Sequence, residues 1–374
     1  MALRILAIEP YYGLSHREFL EGYERFSSHS LTIWSLPPRK WKWRMHGAAI
    51  YFAEKARGFS EPPPDLILAS DFLNLGDWRA LAPAAFRDCP TLVYFHENQF
   101  TYPISERAPS VNYDFGWINV SSALAADHAL FNTHYHRDAF IHHVELVLSQ
   151  MTDGVPQDVC RKLFESSSVF PVGIDFKPHE RVRSENVGKR PHEPIVVWNH
   201  RWEHDKHPER MVEALINLKR RGVRFRADLC GQVFNDRPDA YDRAARELDD
   251  RLLHLGYYRE RTDYLRALAR ADIVLSTARH EFFGVAVVEA LFMGCLPVLP
   301  HSLSYPEIIP PALHSQCLYD PNAPLEPFLE NFLAQPPVDH RATLQEVAMA
   351  YDWRRLAPRL DAILVGQAKK GRVH

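Results

Sequence analysis

The sequence predicts an α/β protein built as two Rossmann-like domains that face a cleft. Three observations carry that expectation. Short apolar runs alternate with helical periodicities along most of the chain. The alternation starts afresh after a polar stretch near the middle. A chain of 374 residues also has room for two cores of ordinary size.

The first domain is expected over residues 1–176. Its strand-like runs are residues 5–8, 31–35, 66–69, 92–95 and 129–131, each mostly apolar, as strands buried on both faces of a parallel sheet must be. Phe19, Tyr23 and Phe26 recur at helical spacing between the first two runs. Pro62, Pro63 and Pro64 end a connection, and Asp65 opens the next strand. Residues 169–175 form a further apolar run, and the polar stretch 177–194 reads as a linker.

The second domain is expected over residues 177–350, with strands near 195–198, 227–230, 273–276 and 297–299. Between the first two, a helix over 208–221 carries Met211, Leu215 and Leu218 on one face. It ends in Lys219, Arg220, Arg221 and Gly222, where cations complement the helix dipole and glycine stops it. Residues 353–364 form a last amphipathic stretch, within a terminal segment 351–374.

Composition narrows the function classes. With 46% hydrophobic and 24% charged residues the chain reads as a soluble globular protein. No run approaches the ~20 apolar residues that a membrane helix needs, so no membrane association is expected. The N-terminal run becomes acidic too early for a secretory signal. Five widely spaced cysteines without a Cys-x-x-Cys pair suggest a reduced, cytoplasmic protein without disulfides. A net charge of −3 does not announce a nucleic-acid binder in bulk, but charge is concentrated locally. Arg39, Lys40, Lys42 and Arg44 interleave with Trp41 and Trp43.

Chemistry concentrates after two strands of the second half. Arg201 and Lys206 follow the run 195–198. Glu281, Phe282, Phe283, Gly284 and Glu289 follow 273–277 and open a helix-like run, 285–293. Ligands of an open α/β sheet sit beyond the carboxyl ends of strands, where helix N-termini offer N–H groups to phosphate. Both segments should therefore line one crevice. Glu289 lies among Val287, Val288, Ala290, Leu291 and Phe292, a costly place for a carboxylate without a partner. With Glu281 ahead of the helix and Glu289 inside it, the pair does not read as the facing carboxylates of a glycosidase.

This arrangement resembles the donor site of retaining glycosyltransferases with the GT-B fold. Such a site stabilises a diphosphate leaving group with fixed cations and N–H dipoles. Arg201 can fork two phosphate oxygens and Lys206 adds a compact charge, while Gly284 lets backbone approach closely. The resemblance implies that Glu281 binds donor-sugar hydroxyls and Glu289 the ribose of the nucleotide. It also makes the run 169–175 the end of an N-terminal domain, and the terminal segment a helix that packs back on that domain.

Four motifs of the first half follow strands or lie between them. Residues 10–16 contain Gly13, Ser15 and His16, with Ser15 placed to cap the next helix. The Trp/basic run 38–46 alternates as a strand edge or loop would. His96, Glu97, Asn98 and Gln99 follow the fourth strand, in a motif running on to Tyr102 and Pro103, and residues 131–136 end the fifth. Together with the donor motif these are similar to the tRNA-queuosine α-mannosyltransferase family. That resemblance implies mannose transfer with retention from GDP-mannose to the cyclopentene-diol of queuosine in the anticodon of tRNA-Asp. In its terms Arg201, Lys206, Glu281 and His96 are catalytic. Gly13, Phe282, Phe283, Gly284 and Glu289 bind the donor. His16, Arg39, Lys40, Trp41, Lys42, Trp43, Arg44, Glu97, Asn98 and Gln99 face the acceptor.

Aromatic faces and cations are what a single-stranded anticodon needs, although the same tryptophans could equally pack in a core. His134, His136, His142 and His143 have metal-like spacing, but no acidic or cysteine cluster completes a site, so no metal or other cofactor is expected. A GT-B enzyme with a lipid, polysaccharide or small-molecule acceptor, and a non-catalytic nucleotide-sugar or tRNA binder, remain open on the residues alone. Oligomeric state has no signature in the chain.

Overall fold

The computed structural model describes residues 2–101, 113–185, 193–233, 237–336 and 340–371. Tyr102 and Pro103 of the fourth-strand motif lie outside them. The chain begins β1 (Arg4–Glu9), α1 (Leu14–Phe26), β2 (Ser30–Ser35), α2 (Trp41–Arg57), β3 (Leu66–Ser70), α3 (Leu75–Leu81) and α4 (Ala84–Arg87). It continues through β4 (Thr91–Phe95), α5 (Asp114–Ala125), β5 (His128–Phe131), α6 (His134–Leu148), α7 (Val159–Glu165) and β6 (Ser167–Val169). Next come α8 (Lys177–Glu185), β7 (Ile195–Trp198), α9 (Pro208–Arg220), β8 (Arg226–Leu229), α10 (Asp239–Glu247), β9 (Leu252–Leu255), α11 (Arg261–Arg270) and β10 (Ile273–Leu275). The remainder is α12 (Val285–Met293), β11 (Leu296–Pro300), α13 (Tyr305–Ile308), α14 (His314–Cys317), β12 (Leu318–Tyr319), α15 (Leu325–Ala334), α16 (Arg341–Met349) and α17 (Trp353–Gly371).

Packing divides the chain into two units, Met1–Ile174 with Tyr351–His374, and Asp175–Ala350. The first holds a parallel sheet in the order β2-β1-β3-β4-β5-β6. Its inner strands β3 and β4 are buried at every position, whereas the edge strand β2 alternates. Strand order reverses between β1 and β3, so the carboxyl ends of these two strands flank the crevice where open α/β sheets take ligands. The second unit holds a parallel sheet in the order β12-β11-β10-β7-β8-β9. Its reversal falls between β7 and β10. The edge strands β9 and β12 escape a sequence reading because one is only partly buried and the other spans two residues.

Three local expectations are corrected. Ser15 does not cap α1; Gly13 occupies that position without a side-chain cap. The Trp/basic run is neither strand edge nor loop but the first turn of α2, entered through Lys40 at φ 54°. The stretch read as a linker begins with α8, whose His179 and Val182 are buried; residues 186–192 lie outside the described ones. Phe176, just before α8, stacks on Phe292 of α12 at 4.1 Å, and such aromatic burial is what seats a helix with so few apolar residues.

Helix α17 packs on α1 within the first unit. Trp353 lies 5.2 Å from Phe19 and fills the space that a side chain at Gly22 would need. Asp361 accepts hydrogen bonds from Tyr23 Oη (2.7 Å), Ser27 Oγ (2.8 Å), Ser28 N–H (2.9 Å) and Ser28 Oγ (2.6 Å). The entry and exit of the second unit are joined by a parallel bridge between Ile174 and Asp352. Ile174 N–H donates to Tyr351 O at 2.8 Å, and Trp353 N–H to Ile174 O at 3.1 Å.

Candidate active site

In the second unit the reversal point gathers the residues that the sequence singles out. Beyond β7, Arg201 and the short turn His204–Lys206 come beside the segment after β10. Thr277 Oγ1 donates to Lys206 O at 2.9 Å, and Arg279 N–H donates to Asp205 O at 2.8 Å. Lys206, nearly buried, donates through Nζ to His280 O (2.6 Å) and to Glu281 Oε2 (3.2 Å), and pairs with Asp205 Oδ2 at 3.2 Å. Burial opposes its charge, but Glu281 and Asp205 outweigh that and hold its pKa above the ordinary lysine value. The same pairing outweighs the burial of Glu281 and keeps that carboxyl below its usual range. Arg201, 39% exposed, lies 2.9 Å from Glu203 Oε2 and 3.7 Å from Asp205 Oδ2. The arginine is thus the cation turned toward solvent, and the lysine is embedded among carboxylates.

Phe282 and Phe283 are buried side chains, and Phe283 N–H donates to Glu281 Oε1 at 3.4 Å. Gly284 precedes α12 at φ 99°, and a Cβ there would meet Tyr305 at 3.3 Å. Only glycine holds that left-handed position without strain. The helix then starts at Val285, with first-turn N–H groups directed back at the 281–284 loop.

Glu289 does not stand alone on α12. Its carboxylate accepts from Arg261, from Tyr264 Oη at 3.0 Å and from His179 Nε2 at 3.2 Å. Burial works against ionisation, but Arg261, His179 and Tyr264 outweigh it, and the pKa falls to about 2. These three partners were not legible. His179 sits in the apparent linker, while Arg261 and Tyr264 belong to a helix that no motif marks. Asn199, at the end of β7, ties α12 in place by donating to Ala286 O at 2.8 Å.

In the first unit the reversal point also collects chemistry. His16 and His96 stack with ring centroids 3.9 Å apart. His16 Nδ1 lies 3.0 Å from Glu9 Oε2, and His96 N–H donates to Asp71 Oδ1 at 3.2 Å. Burial disfavours a charged His16, but the Glu9 carboxylate more than compensates and raises its pKa to about 9. Burial, followed by the charges of His16 and His136, pushes His96 well below the ordinary histidine value. Burial raises Asp71 to about 8. Asn98 is buried and caps its own turn, accepting from Phe100 N–H and Thr101 N–H at 3.1 Å each. Gln99 Nε2 donates to Glu97 Oε1 at 2.8 Å. Glu97 and Gln99 are half-buried and Asn98 is buried.

Glu9, His16 and His96 have ligand atoms within 4.8 Å of one another, a spacing that admits a cation. The two rings are tilted against each other by 33°. His136 Nδ1 is engaged by Asn132 Oδ1 at 2.9 Å.

Helix α2 separates its two tryptophans. Trp41 is half-buried, 4.9 Å from Phe115. Trp43 is 62% exposed and lies over Gly47, where a Cβ would come within 2.7 Å of the indole. Arg39, Lys40 and Lys42 are exposed around it, and Arg44 reaches Pro37 O at 3.3 Å. Gly13 is buried against Pro38, whose Cγ is 2.5 Å from where its Cβ would lie.

Comparison with known proteins accounts for both halves. Residues 4–174 match the family model described as tRNA-queuosine alpha-mannosyltransferase N-terminal, and residues 180–341 match glycosyl transferases group 1. The tRNA-queuosine alpha-mannosyltransferase of Drosophila melanogaster is 36% identical over 344 residues, 89% of this chain and 88% of its own length. The chain belongs to the tRNA-queuosine alpha-mannosyltransferase family. It is a glycosyltransferase, and the resemblance read from the His96–Gln99 and Trp41–Arg44 motifs is borne out.

A GDP-mannose-dependent phosphatidylinositol dimannoside mannosyltransferase of Mycobacterium tuberculosis is 27% identical over 202 residues, about half of each chain. Sucrose-phosphate synthase from Thermosynechococcus elongatus matches at a TM-score of 0.66 with 14% identity, covering 96% of this chain and 98% of that one. Anabaena HepE in complex with UDP matches at 0.66 with 17% identity, covering 97% and 100%. The fold of the family member described here is therefore GT-B, and no described helix is long and apolar enough to cross a membrane.

Proposed function

We propose that this protein transfers mannose, with retention, from GDP-mannose to the cyclopentene-diol of queuosine in tRNA-Asp, in the cytoplasm and without a metal. The observation that supports it most is the pairing of a family-specific first unit with a cation-bearing reversal point in the second. Arg201 grips the diphosphate, and Lys206 carries charge to the bond being broken. Glu281, already fixed by Lys206, takes the sugar hydroxyls. Glu289 takes the ribose, exchanging one of its present donors for a ribose hydroxyl. The family resemblance assigns Gly13 to the donor as well, and the N–H groups around Phe282, Phe283 and Gly284 face the phosphates.

On the acceptor side, His96 with Glu97 and Gln99 at its rim meets the diol. Trp43 offers its exposed face to a base, and Arg39, Lys40, Lys42 and Arg44 attract phosphates. Trp41 supports the helix rather than stacking on RNA. The test incubates queuosine-containing tRNA with the protein and GDP-mannose, UDP-glucose or UDP-galactose, followed by mass spectrometry of the nucleosides. A hexosyl-queuosine product only with GDP-mannose is expected. Transfer to a lipid or free sugar with none to tRNA would replace the proposed acceptor.

A further inference from the structure

Glu9 belongs to no motif that the sequence offers, yet it ends β1 at the reversal point of the first sheet. Its carboxylate is 1% exposed. Tyr11 N–H (2.8 Å) and Ser70 Oγ (2.9 Å) donate to Oε1, and His16 takes Oε2. His96 is pinned by its backbone, with N–H donating to Asp71 and the carbonyl accepting from Asn132 Nδ2 at 3.0 Å. Its ring makes no hydrogen bond to the described residues, and the buried Nδ1 has no partner among them. A second imidazolium 3.9 Å from a charged and buried His16 would be strongly disfavoured.

We infer that Glu9 is a positioning residue for sugar transfer: it fixes His16 as an imidazolium, which keeps the stacked His96 neutral to accept a hydrogen bond from an acceptor hydroxyl. This rests on the reading that His96 faces the acceptor. The groups around His96 are His16 from α1, Glu9 from β1, Asp71 after β3, Tyr94 from β4, His136 from α6 and Glu97 of its own loop. Tyr94 is pushed well up by burial and Asp71 to about 8, so neither carries charge at neutral pH. His16 is then the charge in direct ring contact with His96.

The test follows imidazole protonation by nitrogen-15 NMR of the full chain, together with kcat and KM for transfer from GDP-mannose between pH 5 and 10. In Glu9→Gln the carboxylate no longer offsets burial, so His16 should lose its second proton below the ordinary histidine value rather than near pH 9. His96 should then protonate more readily, moving the acid limb of kcat up by about one pH unit. KM for GDP-mannose should stay within about twofold, since binding of the donor is not involved. His16→Phe, which keeps a stacked ring without charge, should move the limb the same way and decides the matter if Glu9→Gln does not fold. Superimposable acid limbs, or a doubly protonated His16 at pH 8 in Glu9→Gln, would overturn the inference. If His96→Ala instead transfers at the native rate, the acceptor-side reading fails, while the spectra still report on the Glu9–His16 link.

Discussion

Arg201 and Lys206 leave different debts behind when removed. Arg201 is turned to solvent, so Arg201→Ala should fold normally and lower turnover by two or more orders of magnitude, the ~3–4 kcal/mol that one preorganised donor supplies at a developing charge. Steady-state kinetics beside a melting curve checks this. Lys206→Met strands Asp205 and Glu281 in a buried site, and such breakage costs about 3–5 kcal/mol of stability. Its melting temperature should therefore fall along with its activity. Glu281→Gln should reduce transfer more than GDP binding in calorimetric titrations, since its proposed partner is the sugar. Glu289→Gln should weaken both. Because Glu289 is held at about 2 against 4.5 unfolded, its stabilisation is complete above pH 4.5 and lost as pH falls toward 2. It amounts to roughly 3 kcal/mol at 1.36 kcal/mol per pKa unit.

At the scale of elements, α2 places cations where a helix dipole favours anions. The first turn holds no acidic residue, and each misplaced charge costs about 0.3–1 kcal/mol. Lys40→Glu with Lys42→Glu should consequently hold or raise the melting temperature while weakening tRNA binding. The loss should be largest at low salt, and the slope of log K against log salt should shrink by about 0.7–0.9 per lost phosphate contact. Unchanged affinity and slope would detach α2 from the acceptor. Trp43→Ala should lose roughly 1–3 kcal/mol of tRNA binding without a change in melting, and Trp41→Ala the reverse. The sequence disclosed the composition of this element but not its shape. Trp-Lys-Trp-Arg alternates like a strand, and it is Met45, Ala48, Ala49, Phe52, Ala53 and Ala56 further along that bury the face that makes it helical. The inner strands were legible because double burial demands continuous apolar runs. Residues such as His179 and Glu9 were not, since their meaning lies in partners distant along the chain.

For the molecule as a whole, buried groups respond to acid with both signs: His96 in the first unit and His200 and His280 in the second lose stability, whereas Asp71 gains it. His200 and His280 in the second unit are buried and held near 4, by desolvation first and the Lys206 charge next. Unfolded, each takes a proton near pH 6.5. Between pH 6.5 and 4 the unfolded state therefore binds more protons and stability falls, by on the order of 3 kcal/mol per histidine. Asp71 in the first unit, raised to about 8, holds a proton when folded that it releases when unfolded, so acidification favours its folded form. Hydrogen exchange corrected for intrinsic rates should show protection of β7 falling toward pH 4. On the proposed mechanism, in which side chains and N–H dipoles neutralise the leaving group, excess EDTA should leave the rate of transfer unchanged; a collapse reversed by a divalent ion would require a metal in the mechanism.

The bridge between Ile174 and Asp352 has a consequence for how such a chain can be reassembled. The second unit leaves and re-enters the first at adjacent residues, and α17 is fastened independently by the four hydrogen bonds on Asp361. The chain is thus a host with a guest inserted at a single point, rather than two beads on a string. A guest bounded in this way can be exchanged for another donor unit with its ends equally close, and the host keeps its terminal helix. Replacing residues 175–350 by a short glycine-containing turn should leave a soluble first unit with its own cooperative melt. In heredity terms, that seam is where one acceptor scaffold could acquire a new sugar.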